Sequence, residues 1–435
     1  MISKLNSNLF LYRIFFLFLV VVCLFSRTAT GIYIFNYRLG EYAVAVSLLF
    51  SILSIFKNQT TFTKTKKFYS IKSLIILIYF SFFLSLLINL DISFSTYVFR
   101  SSSYLWFIVF FLIGFVSYEN GFPLYKFYKF CKILLIFLYF YLTLEFFKTD
   151  QVSNFFLQFS DKFELHKGSD LGLIYISTIY MNNKLFNYRF KFEYFLYISA
   201  LLLPLFLFIS RAAFIATFVF FLYELYLYAK VNEKKYSQIF VQVFLFLIIF
   251  FSSVNFVQNK EIISDSAYYE NFINLTQQRS TIQYDSVTGN NLFWLSNGRL
   301  YSADGNLNWR FQIWQDVIHD LHNSNSLLFG YGYDEKIPAM TLESRMGIDG
   351  LNEQVHNFII NILARGGLFQ LVIYICLIQA ILYFYYSEYK KLDILVYFLP
   401  ICFISFFDSS MENAHFPILF YFFLGIIYSN SSFEN

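Results

Sequence analysis

Three residues of this chain have types and surroundings suited to holding an anion and moving a proton: Arg211, Arg310 and His356. Arg211 stands where one apolar run ends and the next begins, in Ile209-Ser-Arg-Ala-Ala-Phe. Arg310 shares the stretch 308–321 (NWRFQIWQDVIHDL) with Trp314, which follows one helical turn later. His356 opens His356-Asn-Phe-Ile-Ile-Asn-Ile-Leu-Ala-Arg-Gly-Gly-Leu, which leads into another apolar run. A guanidinium stays charged at every working pH, and its planar fork matches the oxygens of phosphate or carboxylate. An imidazole, with a reference pKa of about 6.5, exchanges a proton near neutrality. Anion binding by arginines beside a histidine base is the chemistry on offer.

Other residues near these three are weaker candidates for binding substrate: Arg299, Trp314, Asn357, Arg365, Gly330 and Gly332. The two glycines, in Leu327-Leu-Phe-Gly-Tyr-Gly-Tyr, suit a turn. They make no dinucleotide motif, because no strand precedes them and a third glycine is missing. His319 and His322, with Asp316 and Asp320, have spacing compatible with a metal, but on a helix that pattern is more often a polar face. No Asp-x-Asp pair is found, so neither a metal nor a cofactor is expected. Asp408, Glu412 and His415 share a late polar turn that either joins the site or simply connects two spans. Each main candidate also has a plain structural role open to it. Arg211 suits an interfacial anchor, Arg310 a bridge to lipid headgroups, and Asn357 a helix cap. Arg299 and Arg365 suit solvated loops.

What positions these residues follows from composition. The 435 residues are 58% hydrophobic and 23% aromatic, with 62 Phe and 36 Tyr, but only 14% charged. A soluble domain carries about 25% charge, so this chain lacks the polar surface to cover a soluble core. Soluble enzymes, disordered proteins and disulfide scaffolds are excluded. A net charge of +4 is too small to point to nucleic acid. Cys23, Cys131, Cys376 and Cys402 are scattered, with neither zinc nor redox spacing.

Apolar runs long enough to span cover 9–25, 39–56, 71–90, 104–118, 130–147, 192–209, 212–229, 239–257, 368–386, 392–407 and 416–428. The first is read as a retained span rather than a signal peptide. Lysines at 57, 64, 66, 67 and 72, and at 126, 129 and 132, mark two connections as cytoplasmic. The basic turns at Lys230, Lys234 and Lys235, and at Lys390 and Lys391, then face the wrong side unless one more crossing intervenes. The stretch 169–182 (SDLGLIYISTIYMN), which carries Asp170, supplies it and also places Lys184, Arg189 and Lys191 inside. The expected fold is all-α: a polytopic bundle of about twelve spans, both termini cytoplasmic. It divides into spans over 1–257, a large periplasmic loop with an amphipathic helix over 258–354, and a re-entrant segment with the last spans over 355–435. Arginine then sorts against lysine. Arg27, Arg38, Arg100, Arg211, Arg279, Arg299, Arg310, Arg345 and Arg365 face outward, leaving Arg13 and Arg189 inside. Positive-inside pressure explains the lysines but not the outward arginines.

The order Ser210-Arg211-Ala-Ala, Arg310 with Trp314, Gly330-Tyr-Gly332, His356-Asn357 and Gly366-Gly367-Leu368 resembles the O-antigen ligase and polymerase superfamily over roughly 201–428. Ala212 stands where that family commonly has glycine. The resemblance implies a bacterial inner-membrane glycosyltransferase, active at the periplasmic face, whose donor is an undecaprenyl-diphosphate-linked oligosaccharide. The acceptor is another lipid-linked repeat unit in polymerases and lipid A-core in ligases. The family's arginines match Arg211 and Arg310, and its histidine matches His356. The chemistry fits. Outside the cytoplasm the donor arrives already activated, its diphosphate leaving group calls for fixed cations, and the acceptor hydroxyl calls for a base. The expectation is a polymerase of repeat units working in the lipid bilayer with a chain-length regulator, and with no nucleic acid. A ligase is the near alternative. A transporter is the distant one, since it predicts charges within several spans, whereas these gather at the outer rim.

Overall fold

A computed structural model describes residues 2–35, 37–56, 66–89, 95–119, 122–144, 154–155, 157–160, 166–185, 192–231, 236–258, 292–342, 345 and 352–430. The first half of the polar loop with Arg279, and the basic positions Lys57, Lys64, Arg189, Lys191, Lys234 and Lys235, lie outside the described residues.

The protein is a helical membrane protein, with two small hairpins among the described residues. Helix α1 (Ile2–Gly31) leads through a hairpin of β1 (Tyr33–Ile34) and β2 (Tyr37–Arg38) into α2 (Leu39–Phe56) and α3 (Lys66–Ile88). Short helices α4 (Thr96–Ser101) and α5 (Ser103–Trp106) precede α6 (Val109–Glu119) and α7 (Leu124–Thr143). Then come α8 (Gly168–Tyr180), ending in a π turn (Met181–Leu185), α9 (Phe192–Ile209), α10 (Arg211–Val231) and α11 (Tyr236–Gln258). The polar loop contributes β3 (Phe293–Ser296), β4 (Arg299–Ser302) and α12 (Gly305–Asn323). Helices α13 (Phe358–Tyr389), α14 (Ile394–Phe406) and α15 (His415–Asn430) follow.

The expected twelve crossings are not met by length. Among the described residues five helices are long and apolar enough to cross a bilayer, or six if the segments Ser103–Glu119 and Leu124–Thr143, bent by 118°, make one span. Others are too short: the 13 residues of α14 rise about 20 Å, against roughly 30 Å of hydrocarbon. The stretch at 169–182 is one such case. Helix α8 is only 13 residues long, yet it is buried along its whole length. It runs through the middle of the bundle, covered by α7, α9, α10 and α14. Neighbouring helices, not lipid, surround it, so polar Asp170, Ser177 and Thr178 are accommodated.

Two close approaches hold the frame together. Helices α6 and α15 cross where a Cβ on Gly114 would strike the Phe422 backbone, and one on Gly425 the Phe111 and Phe115 backbones. Contact at backbone distance is the common use of small residues between membrane helices. Gly114→Val or Gly425→Val should therefore cost about 1–3 kcal/mol or more through overpacking. The expected result is a lowered Tm and a smaller monodisperse peak in detergent. Gly305→Ala, where a Cβ meets nothing within 4 Å, should leave both unchanged.

The second approach shapes the loop. Helix α13 breaks at Gly367 (φ 68°), so the carbonyls of Ala364 and Arg365 lose their helical partners, the amides of Leu368 and Phe369. The segment 327–332 replaces both pairs. Tyr331 and Gly332 amides donate to Ala364 and Arg365 (2.8 and 3.0 Å), while Leu368 and Phe369 donate to Leu327 and Leu328 (2.9 and 3.1 Å). A Cβ on Gly330 (φ 71°) would lie 2.5 Å from the Arg365 backbone, so the insertion demands glycine there. Helix α13 is thus broken at Gly367 while its backbone groups stay satisfied.

Candidate active site

Helix α12 is amphipathic, as its sequence predicts. Ile313, Trp314, Val317 and Leu321 bury against Ile337, Met340, Val355, Leu363 and Ala364, forming a small second core. Val317 takes the core position, and Asp316 turns to solvent-facing partners. The hairpin β3–β4, absent from the sequence expectation, lies on the same helix: Gln315 accepts from the Leu300 amide (2.7 Å) and donates back to its carbonyl (3.0 Å). Its turn is Asn297-Gly298, with φ of 51° and 74°. Asn-Gly between strand-forming residues was the available signal.

Asp304 pairs with one principal arginine and caps the helix that carries the other. Its Oδ1 caps α12 by accepting from the Leu307 amide (2.9 Å), and its Oδ2 pairs with Arg211. Arg211 begins α10, and its side chain is 82% exposed, leaving most of its fork open to a ligand. Arg310 sits further along α12, where Asp304 and Asp408 both act on its charge. Burial lowers its pKa and those carboxylates oppose the change. Its Nε is buried without a hydrogen-bond partner.

His356 is held by both neighbours. Trp314 Nε1 donates to the Val355 carbonyl (2.8 Å), and Asn357 Oδ1 caps α13 by accepting from Ile360 (3.0 Å). Between these pins His356 adopts a left-handed backbone (φ 53°), which is uncommon for a residue with a Cβ. The Trp309 ring stands edge-on to it at 5.1 Å. Burial lowers the imidazole pKa to about 3, helped by the charges of Arg310, Lys167 and Arg27. The ring is therefore neutral at working pH, and its buried Nδ1 has no partner.

The structure divides the sequence candidates. Asp304 ties Arg211 to the helix of Arg310, while Trp314 bonds the residue before His356 and Asn357 caps the helix after it; Arg299 and Arg365 serve other groups. Arg299 pairs with Asp316, which also receives Arg345 (2.7 Å). Arg365 is 3% exposed and donates to the carbonyls of Gly332 and Glu335 and to the Tyr97 hydroxyl (3.0 Å), clamping the inserted turn. Gly330 and Gly332 form that turn. Asp316 is occupied by two arginines, and His319 meets Asn323 (3.2 Å).

Several contacts escaped sequence reasoning: those of Asp304, of Trp309 and of Asp170. In the late polar turn, Asp408 acts on the charge of Arg310. Glu412 has a buried, unpartnered Oε1 and a pKa pushed up to about 8 by burial. His415 pairs with Asp170 (2.8 Å). A carboxylate inside an apolar run was the signal for Asp170. Nothing local marks the others, because α1, α8 and α12 meet only in the fold.

Comparison with family models matches residues 195–375 to the family described as O-antigen ligase. No curated protein matches the chain. The matched stretch contains Arg211, Arg310 and His356, and leaves Arg27, Lys167, Asp170, Asp408 and His415 outside it.

Proposed function

Over residues 195–375 the chain belongs to the O-antigen ligase/polymerase-like superfamily, and on that premise we propose that it polymerises lipid-linked oligosaccharide repeat units at the periplasmic face of the inner membrane. The donor is an undecaprenyl-diphosphate-linked oligosaccharide. Arg211 and Arg310 grip its diphosphate, and His356 accepts or orients the proton of the attacking hydroxyl. The observation that carries this reading is the ion pair of Arg211 with Asp304, which caps the helix that carries Arg310.

The chemistry is direct. The acceptor oxygen attacks the anomeric carbon, the bond to the diphosphate oxygen breaks, and the acceptor's proton passes to His356. Charge develops on the departing diphosphate, where fixed guanidinium groups stabilise it without reorganising. Attack opposite the leaving group inverts the anomeric centre, so product stereochemistry tests the route. Arg299, Arg365, Gly330 and Gly332 act at one remove in this scheme, shaping the hairpin and the inserted turn.

Transfer to lipid A-core is the second reading, favoured by the family description itself. Expression in matched strains lacking either the polymerase or the ligase separates the two. A restored ladder of chain lengths in the first strain is the expected result. Restoration in the second strain alone would replace polymerase by ligase.

A further inference from the structure

We propose that the outward side of α7 binds an anionic phospholipid of the bilayer. Lys126, Lys129 and Lys132 take its phosphate, and the apolar stripe that follows them takes its acyl chains. The site is separate from the candidate active site and independent of the glycosyl-transfer reading.

At the start of α7 Tyr125, Lys126 and Lys129 are exposed and Lys132 is half-buried. Beyond them Ile133, Ile136, Phe137 and Phe140 are exposed as well. Steps of three and four residues put all of these on one side of the helix. The opposite side, with Phe127, Cys131, Leu134 and Leu138, is buried in the bundle. The outward side therefore runs from ammonium groups to hydrocarbon, the order found along a phospholipid. A lysine facing hydrocarbon is costly, so these first two turns belong at headgroup depth. No acid stands among the 20 residues of α7.

Aromatic rings hold two of the ammonium groups. Lys129 Nζ lies 4.5 Å from the centre of the Tyr125 ring one turn earlier, and Lys132 Nζ lies 4.1 Å from that of Tyr194 in α9. The Tyr194 hydroxyl donates to the Lys132 carbonyl (3.1 Å), which fixes the ring beside its cation. An ammonium has three donors, and contact with a ring face leaves N–H groups for phosphate oxygens. The acid next to Tyr194 is Glu193, which accepts from Gln242 of α11 (3.2 Å). Three lysines in two turns, followed by lipid-facing hydrocarbon, are complementary to a negatively charged headgroup on its chains.

Two chains of contacts put this site at the opposite end of the bundle from Arg211. Tyr194 stands near the start of α9 and Arg211 follows its end, and the 18 residues between rise about 27 Å. Helix α8 repeats the arrangement. The Tyr128 hydroxyl of α7 donates to Asn182 in the π turn that ends α8 (3.0 Å), whereas Gly168 at its other end packs against Ser210. An anion held by the α7 lysines is thus a lipid of the far leaflet, not a ligand of Arg211.

The test is native mass spectrometry of the full chain in a neutral detergent, titrated with phosphatidylglycerol and, separately, with phosphatidylcholine. Wild type should bind phosphatidylglycerol at least about 10-fold more tightly than phosphatidylcholine. K126Q/K129Q should weaken phosphatidylglycerol by at least about 10-fold and leave phosphatidylcholine unchanged. K126R/K129R, which keeps the charges, should bind as wild type does. K390Q/K391Q removes two charges elsewhere in the chain and should cost less than about 2-fold. Both α7 lysines are exposed, so Tm without added lipid is the folding control. If K126Q/K129Q lowers it, K129Q alone carries the test, with an expected loss of about 5-fold. Equal affinity of wild type for the two lipids, unchanged binding in the glutamine variants, or an equal loss in K390Q/K391Q would overturn the site.

Discussion

Exchanging Arg310 for lysine should lower glycosyl transfer by about 100-fold or more, the usual cost of removing one preorganised donor from a developing oxyanion. Lysine keeps the charge but replaces a planar fork by a single hydrated ammonium. The environment sharpens the difference. Arg310 is surrounded by Asp304 and Asp408 and has a buried Nε without a partner, so it has donor capacity in place for an incoming phosphate. Its loss should appear mainly in kcat, because the charge it stabilises grows only as the glycosidic bond breaks. Arg211 is the contrasting case. It is mostly exposed and shares Asp304, so Arg211→Lys should raise KM more than it lowers kcat. Folding is the control: Arg310→Lys should keep the wild-type Tm in detergent to within a few degrees, since little in the bundle depends on its fork. Full activity in Arg310→Lys would remove the diphosphate role.

The same residues show what the sequence makes legible. Membrane class and the amphipathic helix around Arg310 follow from composition and periodicity, both local properties. Span number is less legible, because hydropathy does not show that the two apolar runs Ser103–Glu119 and Leu124–Thr143 are bent by 118° and can count as one span. Residue roles divide in the same way. Arg299 and Arg365 have the same chemistry as Arg310 but lie in β4 and α13 rather than in α12. Only the fold shows that Arg365 is committed to the inserted turn and Arg299 to Asp316. Asp170 is the reverse case. Its position in an apolar stretch announces a cost, but its partners Ser26 and His415 are 144 and 245 residues away in sequence. Contacts of that separation leave no periodic trace.

His356→Ala should lower transfer by about 100- to 10,000-fold, the range for a positioned general base. Alanine also fits the left-handed backbone poorly, so His356→Asn is the cleaner variant, since asparagine tolerates that conformation. Equal losses in the two would assign the effect to the ring rather than to the backbone. The pH profile supplies an independent sign. Burial, then the cations Arg310, Lys167 and Arg27, hold the imidazole near 3 in the free protein. A base with a depressed pKa remains unprotonated as pH falls through 6.5, so kcat/KM should show no acid limb there. Bound donor changes the balance. Its diphosphate neutralises the cations that depress the ring, so the pKa rises in the complex and proton uptake becomes more favourable when the acceptor is in place. The acid limb of kcat should therefore lie at higher pH than that of kcat/KM. A kcat/KM limb near 6.5 that disappears in His356→Asn would instead show a solvated histidine, and full activity in both variants would remove the base altogether.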